Sequence, residues 1–369
     1  MLNRRWMRLL ALLLGLSLIA AACGDDDDTD TSTEDTEDTT EGAAGDGGDG
    51  AESDFLACEV TDTGGVDDRS FNENAYNGLV EASEEIGFEP VVLESQSDAD
   101  FDPNIQALID QGCDLIVTVG FLLGDATEAA AQENPDTNFA IVDFAYETEY
   151  DNVLGLTYAT DQAAFMAGYV AASQTQTGTV GTYGGLNIPT VNIFMKGFEA
   201  GIEYHNEQKG TDVQLEGWST ADDDGLFTGD FEDLSKGRQT TESLLDQGAD
   251  IILPVAGPVG QGSVEAIRAG GDDAKLIWVD TDGCESVSDA CDLFLTSVMK
   301  NFDVSVYDAV TAAANGEFAG GVYSGTLEND GVELGPFNEF EGDISDELQS
   351  ELEEIRAGII DGSIATTLE

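Results

Sequence analysis

Histidine is almost missing from this 369-residue chain: His205 is the only one. A Ser-His-Asp relay or a histidine-bearing metal site would have to recruit that side chain, which lies in a polar helical stretch and reads as a surface residue. No Gly-x-Ser-x-Gly elbow is present, no glycine loop ends in Gly-Lys-Ser/Thr, and no Gly-x-Gly-x-x-Gly fingerprint links a predicted strand to a helix. The five cysteines include no Cys-x-x-Cys pair, which argues against zinc. Basic residues are equally scarce, with 12 Lys and Arg against 76 Asp and Glu and a formal charge of −64. So negative a chain repels phosphate backbones, and a nucleic-acid partner is excluded. The longest uncharged apolar run, Leu9 to Ala22, has 14 residues. As a helix it rises only about 21 Å, short of the ~30 Å hydrocarbon core.

That run follows Arg4, Arg5 and Arg8 and ends in Ala20-Ala21-Ala22-Cys23, which reads as a bacterial secretion signal over residues 1–23. The alternative is an ordinary signal peptide cut near the cysteine. Small residues before Cys23 resemble a lipobox, although Ala20 stands where leucine is usual, so Cys23 is expected to carry lipid and become the new N-terminus. Residues 24–54 are rich in Asp, Thr, Glu and Gly, with no aromatic and no aliphatic side chain larger than alanine. Such a segment cannot bury a core and is expected to be a solvated tether between the membrane and the folded part. The first 54 residues hold 14 of the acids and three of the bases, leaving 62 acids against nine bases in the remainder. Self-repulsion of that size is tolerable where salt screens it, the Debye length being about 3 Å at 1 M.

Four cysteines remain, an even number for an oxidising compartment. Cys284 and Cys291 flank a polar loop and are the first candidate pair. Cys58 and Cys113 each stand at the start of a predicted strand, and adjacent parallel strands would bring them together; the alternative is two buried thiols.

From Phe55 onward, β-rich runs alternate with helical periods. Strand 57–62 precedes a helix over 70–86 with the apolar stripe Phe71, Ala75, Leu79, Ala82 and Ile86. Ser70 and Glu73 have capping-box spacing, and Gly87 stops the helix. Next come strand 91–95, helix 103–111 capped by Asp102, strand 114–120, helix 125–134 and strand 139–144. A second set follows: strand 179–183, helix 191–206, strand 213–218, helix 234–246, strand 250–255, helix 260–269 and strand 275–280. Asp110-Gln111-Gly112-Cys113-Asp114-Leu115-Ile116 and Asp246-Gln247-Gly248-Ala249-Asp250-Ile251-Ile252 occupy equivalent places, as one βα unit used twice would. The pattern predicts doubly wound parallel sheets. Residues 222–233 interrupt the second half and read as a surface insertion; Asp222-Asp223-Asp224-Gly225 lacks the ligand spacing of a calcium loop. No metal or cofactor is expected.

Ligands of open α/β sheets sit at the carboxyl ends of the strands. The first such end carries Val60-Thr61-Asp62-Thr63-Gly64-Gly65-Val66-Asp67-Asp68-Arg69-Ser70-Phe71-Asn72-Glu73. This stretch resembles the signature of the basic membrane protein family, solute-binding lipoproteins of ABC transporters that include purine nucleoside receptors. The likeness continues through Tyr183-Gly184-Gly185, Pro189, Phe194, Gly197-Phe198, Gly201, Lys236-Gly237, Val279-Asp280, residues 297–310, Gly320-Gly321-Val322-Tyr323 and Gly335-Pro336-Phe337. It covers nearly all of 57–340; the acidic insertion before Phe231 and the Asp282-Gly283-Cys284 loop depart from it.

The resemblance implies two doubly wound, Rossmann-like lobes joined by a hinge, the type I periplasmic-binding-protein fold, with ligand in the cleft. Crossings between lobes are placed near Thr160, Val298 and Gly320. The first lobe would hold 55–160 with 299–320, and the second 161–298 with 321–369. Asp62 at a strand end can accept hydrogen bonds from ring nitrogens or an amino group, or else cap a turn. Phe71 can stack on a planar base or pack in the core. Asn72 offers a donor and an acceptor to a base edge. Asp143 and Asp280 end strands in matching places on the two lobes and suit paired ribose hydroxyls, because a buried, unpaired carboxylate is costly. Lys300 matches a family ligand contact, its alternative being a charge partner for surrounding acids. Trp218 is expected as the opposite stacking face, with Phe227 and Phe231 as competitors. Gly257, in Gly257-Pro258-Val259-Gly260-Gln261-Gly262, would let backbone approach the ligand, unless that loop is simply a tight turn.

The expected function is reversible capture of a nucleoside, with purines favoured, by a monomer that delivers it to an ABC transporter permease from the outer face of the cell membrane. A sugar or other small-solute receptor needs the same carboxylates but one aromatic face, and a tethered signalling receptor could use the same fold. A nucleoside hydrolase rests only on a loose likeness of Asp62, Asp67 and Asp68 to an aspartate cluster.

Overall fold

Apolar runs such as Leu115-Ile116-Val117 and Phe139-Ala140-Ile141-Val142 are buried throughout, because helices cover both faces of the sheets they enter. The computed structural model describes residues 54–270 and 273–368. The signal 1–23, its Cys23 and the tether up to residue 53 lie outside the described residues.

Along the chain, β1 (Ala57–Thr61) leads to α1 (Phe71–Ile86), β2 (Val91–Leu93), α2 (Phe101–Gln111), β3 (Leu115–Val119), α3 (Gly124–Glu133), β4 (Asn138–Val142) and β5 (Val153–Tyr158). The second half runs α4 (Thr160–Gln174), β6 (Thr179–Gly184), α5 (Pro189–Lys209), β7 (Gln214–Glu216), β8 (Trp218–Ser219), β9 (Asp224–Gly225), α6 (Leu234–Asp246), β10 (Ile251–Val255) and α7 (Gln261–Gly270). It continues with β11 (Lys275–Asp280), α8 (Gly283–Ser286), β12 (Phe294–Lys300), α9 (Phe302–Ala314), β13 (Gly321–Gly325), β14 (Val332–Leu334) and α10 (Asp346–Ile360).

The strands form two six-stranded sheets, in the orders β13-β5-β4-β3-β1-β2 and β14-β12-β11-β10-β6-β7, plus the small β8-β9 hairpin. All pairings in the two large sheets are parallel except β12 with β14. The two orders superpose strand for strand, with β1 matching β6 and β4 matching β11. The repeated Asp-Gln-Gly motif explains part of this. Gly112 and Gly248 both adopt positive φ, 84° and 97°, after α2 and α6. Asp114 then accepts the Leu56 N–H at 2.9 Å, and Asp250 accepts those of Gln176 and Thr177 at 2.6 and 3.0 Å. In each half the aspartate fixes the segment entering the first strand.

Three expectations need correction. Ser70 does not close a capping box: the Asp68 carboxylate takes the N–H groups of Ser70, Asn72 and Glu73 at 2.9, 2.9 and 3.1 Å and so caps α1. Asp102 lies inside α2, which begins a residue earlier behind a short turn whose capping box joins Ser97 and Asp100. The third crossing falls after β13 rather than near Gly320, because Gly321–Gly325 pairs with Leu154–Tyr158 in the first sheet. The chain passes to the second sheet through residues 326–331, where Asn329 Oδ1 accepts the N–H groups of Thr326 and Gly331.

Cys58 and Cys113 are bonded, with Cα atoms 6.0 Å apart beside the β1-β3 pair, and Cys284 is bonded to Cys291, with Cα atoms 4.5 Å apart. Among the described residues no helix is long and apolar enough to cross a membrane.

Candidate functional site

The carboxyl ends of both large sheets face one cavity. Strand ends supply Asp62, Gly120, Asp143, Val255, Asp280 and Lys300, the start of α1 supplies Phe71 and Asn72, and the start of α5 supplies Val191 and Phe194. This is the topological switch point of each sheet, between β1 and β3 in one and between β6 and β10 in the other, where the strand order reverses.

Asp143 and Asp280 hold φ of 61° and 68°, left-handed backbone that L-residues other than glycine, asparagine and aspartate rarely adopt. Each aspartate turns out of its strand into the cavity, and the matched strain in the two lobes is the kind that functional sites retain. Both are nearly buried, with 8% and 6% of their surface exposed. Between them the fully enclosed Lys300 ammonium donates to Asp143 Oδ2 at 2.6 Å and lies 3.7 Å from Asp280 Oδ1. Its walls are aromatic: Phe194, Phe302, Phe71 and Tyr158 have ring centres 4.8, 5.2, 5.7 and 5.9 Å from Nζ. Cation–π attraction and two carboxylates compensate the buried charge. Lys300 is thus both a cavity wall and a charge partner.

On the first lobe, Asn72 Nδ2 donates to Asp62 Oδ1 at 2.9 Å and to Asp68 Oδ2 at 3.1 Å. Asn72 Oδ1 and Asp280 Oδ1 are buried with no hydrogen-bond partner in the protein. Burial pushes Asp62 up to about 8, with its Asn72 hydrogen bond opposing and the charges of Asp68, Asp143 and Asp280 adding. Asp280 is pushed up to about 6, chiefly by burial, against the pull of Lys300. Burial also raises Asp143 and Asp68, and the Lys300 ammonium and the α1 amides respectively hold them back.

The remaining wall is apolar, formed by Phe71, Phe121, Leu122, Ile188, Val191, Phe194, Phe231 and Pro258. Phe71 lines the cavity and also meets Phe302 edge-on at 5.0 Å. Gly257 lines the cavity at φ 50°, with open space where a side chain would begin. Gly120 is required for a different reason: a Cβ there would stand 2.6 Å from Asp62 Oδ2.

Trp218 does not line the cavity. Gly217 turns the chain away at φ 96°, the β8-β9 hairpin returns it, and Trp218 ends 5% exposed with Nε1 bonded to Thr220 at 3.0 Å and its ring edge-on to Phe227. The acidic insertion instead carries Phe231 over Gly185 and into the cavity wall, so residues 222–233 are not merely surface. His205 is buried rather than exposed: its ring packs edge-on to Tyr169 at 5.0 Å and Nδ1 lies 3.2 Å from the Thr211 hydroxyl, away from the cavity lining. The sequence reading places Asp68 only in the aspartate cluster of the hydrolase alternative and does not name Phe121, yet both line the cavity. The position of Asp68 just before the helix start was the available sign; nothing in the pattern singles out Phe121.

Acids with one ammonium, flanked by flat apolar rings, can grip a neutral solute rich in hydroxyl and N–H groups. Among the described residues no group of His, Cys, Asp and Glu is arranged to hold a metal ion. Residues 55–365 match the family described as ABC transporter substrate-binding protein PnrA-like. The chain is 30% identical to the CD4+ T-cell-stimulating antigen of Listeria innocua, over 98% of each chain. It is 31% identical to the ABC transporter nucleoside-binding protein BmpA of Lactococcus lactis, over 85% of this chain and 89% of that one. Among solved structures, an ABC transporter solute-binding protein from Aeropyrum pernix is similar with a TM-score of 0.75 at 28% identity, covering 84% of this chain and 92% of that one. The chain belongs to the PnrA-like, basic membrane protein family of ABC transporter substrate-binding proteins, extracytoplasmic receptors for small molecules with the type I periplasmic-binding fold.

Proposed function

We propose that the chain captures a nucleoside, with purines favoured, between its lobes and delivers it to a membrane permease as a monomer anchored through lipid on Cys23. One arrangement carries the reading: carboxylates from matched strand ends of both lobes share a cavity with the rings of Phe71, Phe194 and Phe231. Asp143 and Asp280 accept the ribose hydroxyls, and the apolar rings cover the base. Asp62, which holds a proton at pH 7 with its pKa near 8, donates to a ring nitrogen or carbonyl, and Asn72 Oδ1 accepts from a base N–H. The relative named as nucleoside-binding supports the same class.

Mass spectrometry of small molecules released from freshly purified protein tests the proposal. A purine nucleoside is the expected species; a sugar without a base would move the assignment to the sugar or other small-solute receptor that the same carboxylates could serve.

A further inference from the structure

Ser70 is fully buried and lies outside the cavity lining, yet its hydroxyl crosses from one lobe to the other. Its sequence position suggests a helix cap, but Asp68 performs that task, which frees the Ser70 side chain. Arg69 before it has φ 58°, a strained turn that directs the chain into α1. Ser70 Oγ ends 3.2 Å from Asp280 Oδ2 and 3.4 Å from the Val279 carbonyl, both on β11 of the second lobe.

Among the described residues, two further polar ties near the cavity join the lobes. Asn74 Nδ2 donates to the Lys300 carbonyl at 2.9 Å, and Lys300 Nζ donates to Asp143. Both involve Lys300, the last residue of β12, where the chain itself passes between lobes and which therefore stays near each of them in any arrangement. The Ser70–Asp280 bond joins two residues with no such tether, so separating the lobes must break it. Its acceptor is a carboxylate, so the bond is charge-assisted, and at 3.2 Å it is long for that kind. Donation to Oδ2 leaves the other oxygen of this cavity-lining carboxylate, Oδ1, without a hydrogen bond and 3.7 Å from Lys300 Nζ.

We propose that Ser70 is a positioning residue for capture: its hydroxyl latches the lobes in the closed arrangement and aims Asp280 Oδ1 at the solute. The solute class rests on the nucleoside reading above; the latch itself does not. Two measurements on the folded chain test it. Ser70→Ala removes one hydroxyl, and Ser70→Thr keeps it. Small-angle scattering without added solute is expected to show a larger radius of gyration for Ser70→Ala than for the wild type. Stopped-flow displacement of inosine is expected to show dissociation about tenfold faster in Ser70→Ala, as for loss of a hydrogen bond to a charged acceptor, with association changed by less than about threefold. Ser70→Thr should restore both. Wild-type scattering together with a wild-type dissociation rate in Ser70→Ala would refute the latch. If inosine binds neither protein, the nucleoside reading fails and scattering decides alone: an expanded Ser70→Ala upholds the latch and an unchanged profile refutes it.

Discussion

Glu59 stands in the middle of β1, fully enclosed, with neither carboxylate oxygen hydrogen-bonded. Burial, and secondarily the Asp68 charge, raises its pKa well above the ordinary glutamate value. A raised folded pKa means that the group's contribution to stability is complete below the unfolded value of about 4.3 and is lost as pH rises through the folded one. Glu59→Gln, which needs no proton uptake, is therefore expected to be more stable than the wild type at pH 8, by about 1 kcal/mol or more, and equal to it near pH 4. Thermal unfolding at the two pH values checks this. The cavity has its own pH signature. Ionised Asp280 accepts ligand hydroxyls, so affinity should weaken as pH falls through about 6, by about tenfold at pH 5 relative to pH 7.5. Protonated Asp62 donates, so affinity should weaken again above about 8. A bell-shaped affinity profile is the expected outcome, and a flat one from pH 5 to 9 would remove both carboxyls from the contact. Asp143 and Asp280 were legible as strand-end acids; the aromatic box around Lys300 was not, since Phe71, Tyr158, Phe194 and Phe302 come from chain segments far apart in sequence.

Among the helices and strands, periodicity in the sequence suffices where local chemistry alone decides. Helix α6 and strand β11 have the bounds that periodicity predicts. Failures occur where tertiary partners compete. The Ser70-Glu73 spacing is a cap signal, but Asp68 is a stronger acceptor two residues upstream and the Ser70 hydroxyl has a partner in the other lobe. Asp68→Ala is accordingly expected to cost about 1–2 kcal/mol in denaturant unfolding, because it strips three amides at the start of α1, and more than Ser70→Ala costs. Helix α4 escaped the pattern reading because it is buried on nearly every side from Ala163 to Ala172, leaving no polar face to mark a stripe. Phe231 and not Trp218 lines the cavity for a similar reason: a hairpin built on Gly217 redirects the chain, and single-residue spacing cannot report the turn.

For the whole molecule, the doubling of the βα unit was visible in the repeated Asp-Gln-Gly motif, and from it the two sheets followed. The last crossing was not, because β13 pairs with β5 from far earlier in the chain and its glycine-rich start carries no lobe preference. The formal charge of −64 acts at this scale. Several described bases are matched in exposed ion pairs, including Lys196 with Asp223, Arg268 with Asp292 and Arg356 with Asp330, and acids still outnumber them. Repulsion left unscreened should lower the melting temperature when salt falls to a few millimolar, and molar salt should raise it. The central claim is narrower: flat rings and acidic strand tips jointly hold a nucleoside. Calorimetric titration with inosine, guanosine and adenosine, on the wild type and on Phe71→Ala, tests it most directly. Saturable heat with at least one of them, weakened by roughly 1–3 kcal/mol in the variant, is the predicted result. No heat from any of the three, or undiminished affinity without Phe71, would contradict it.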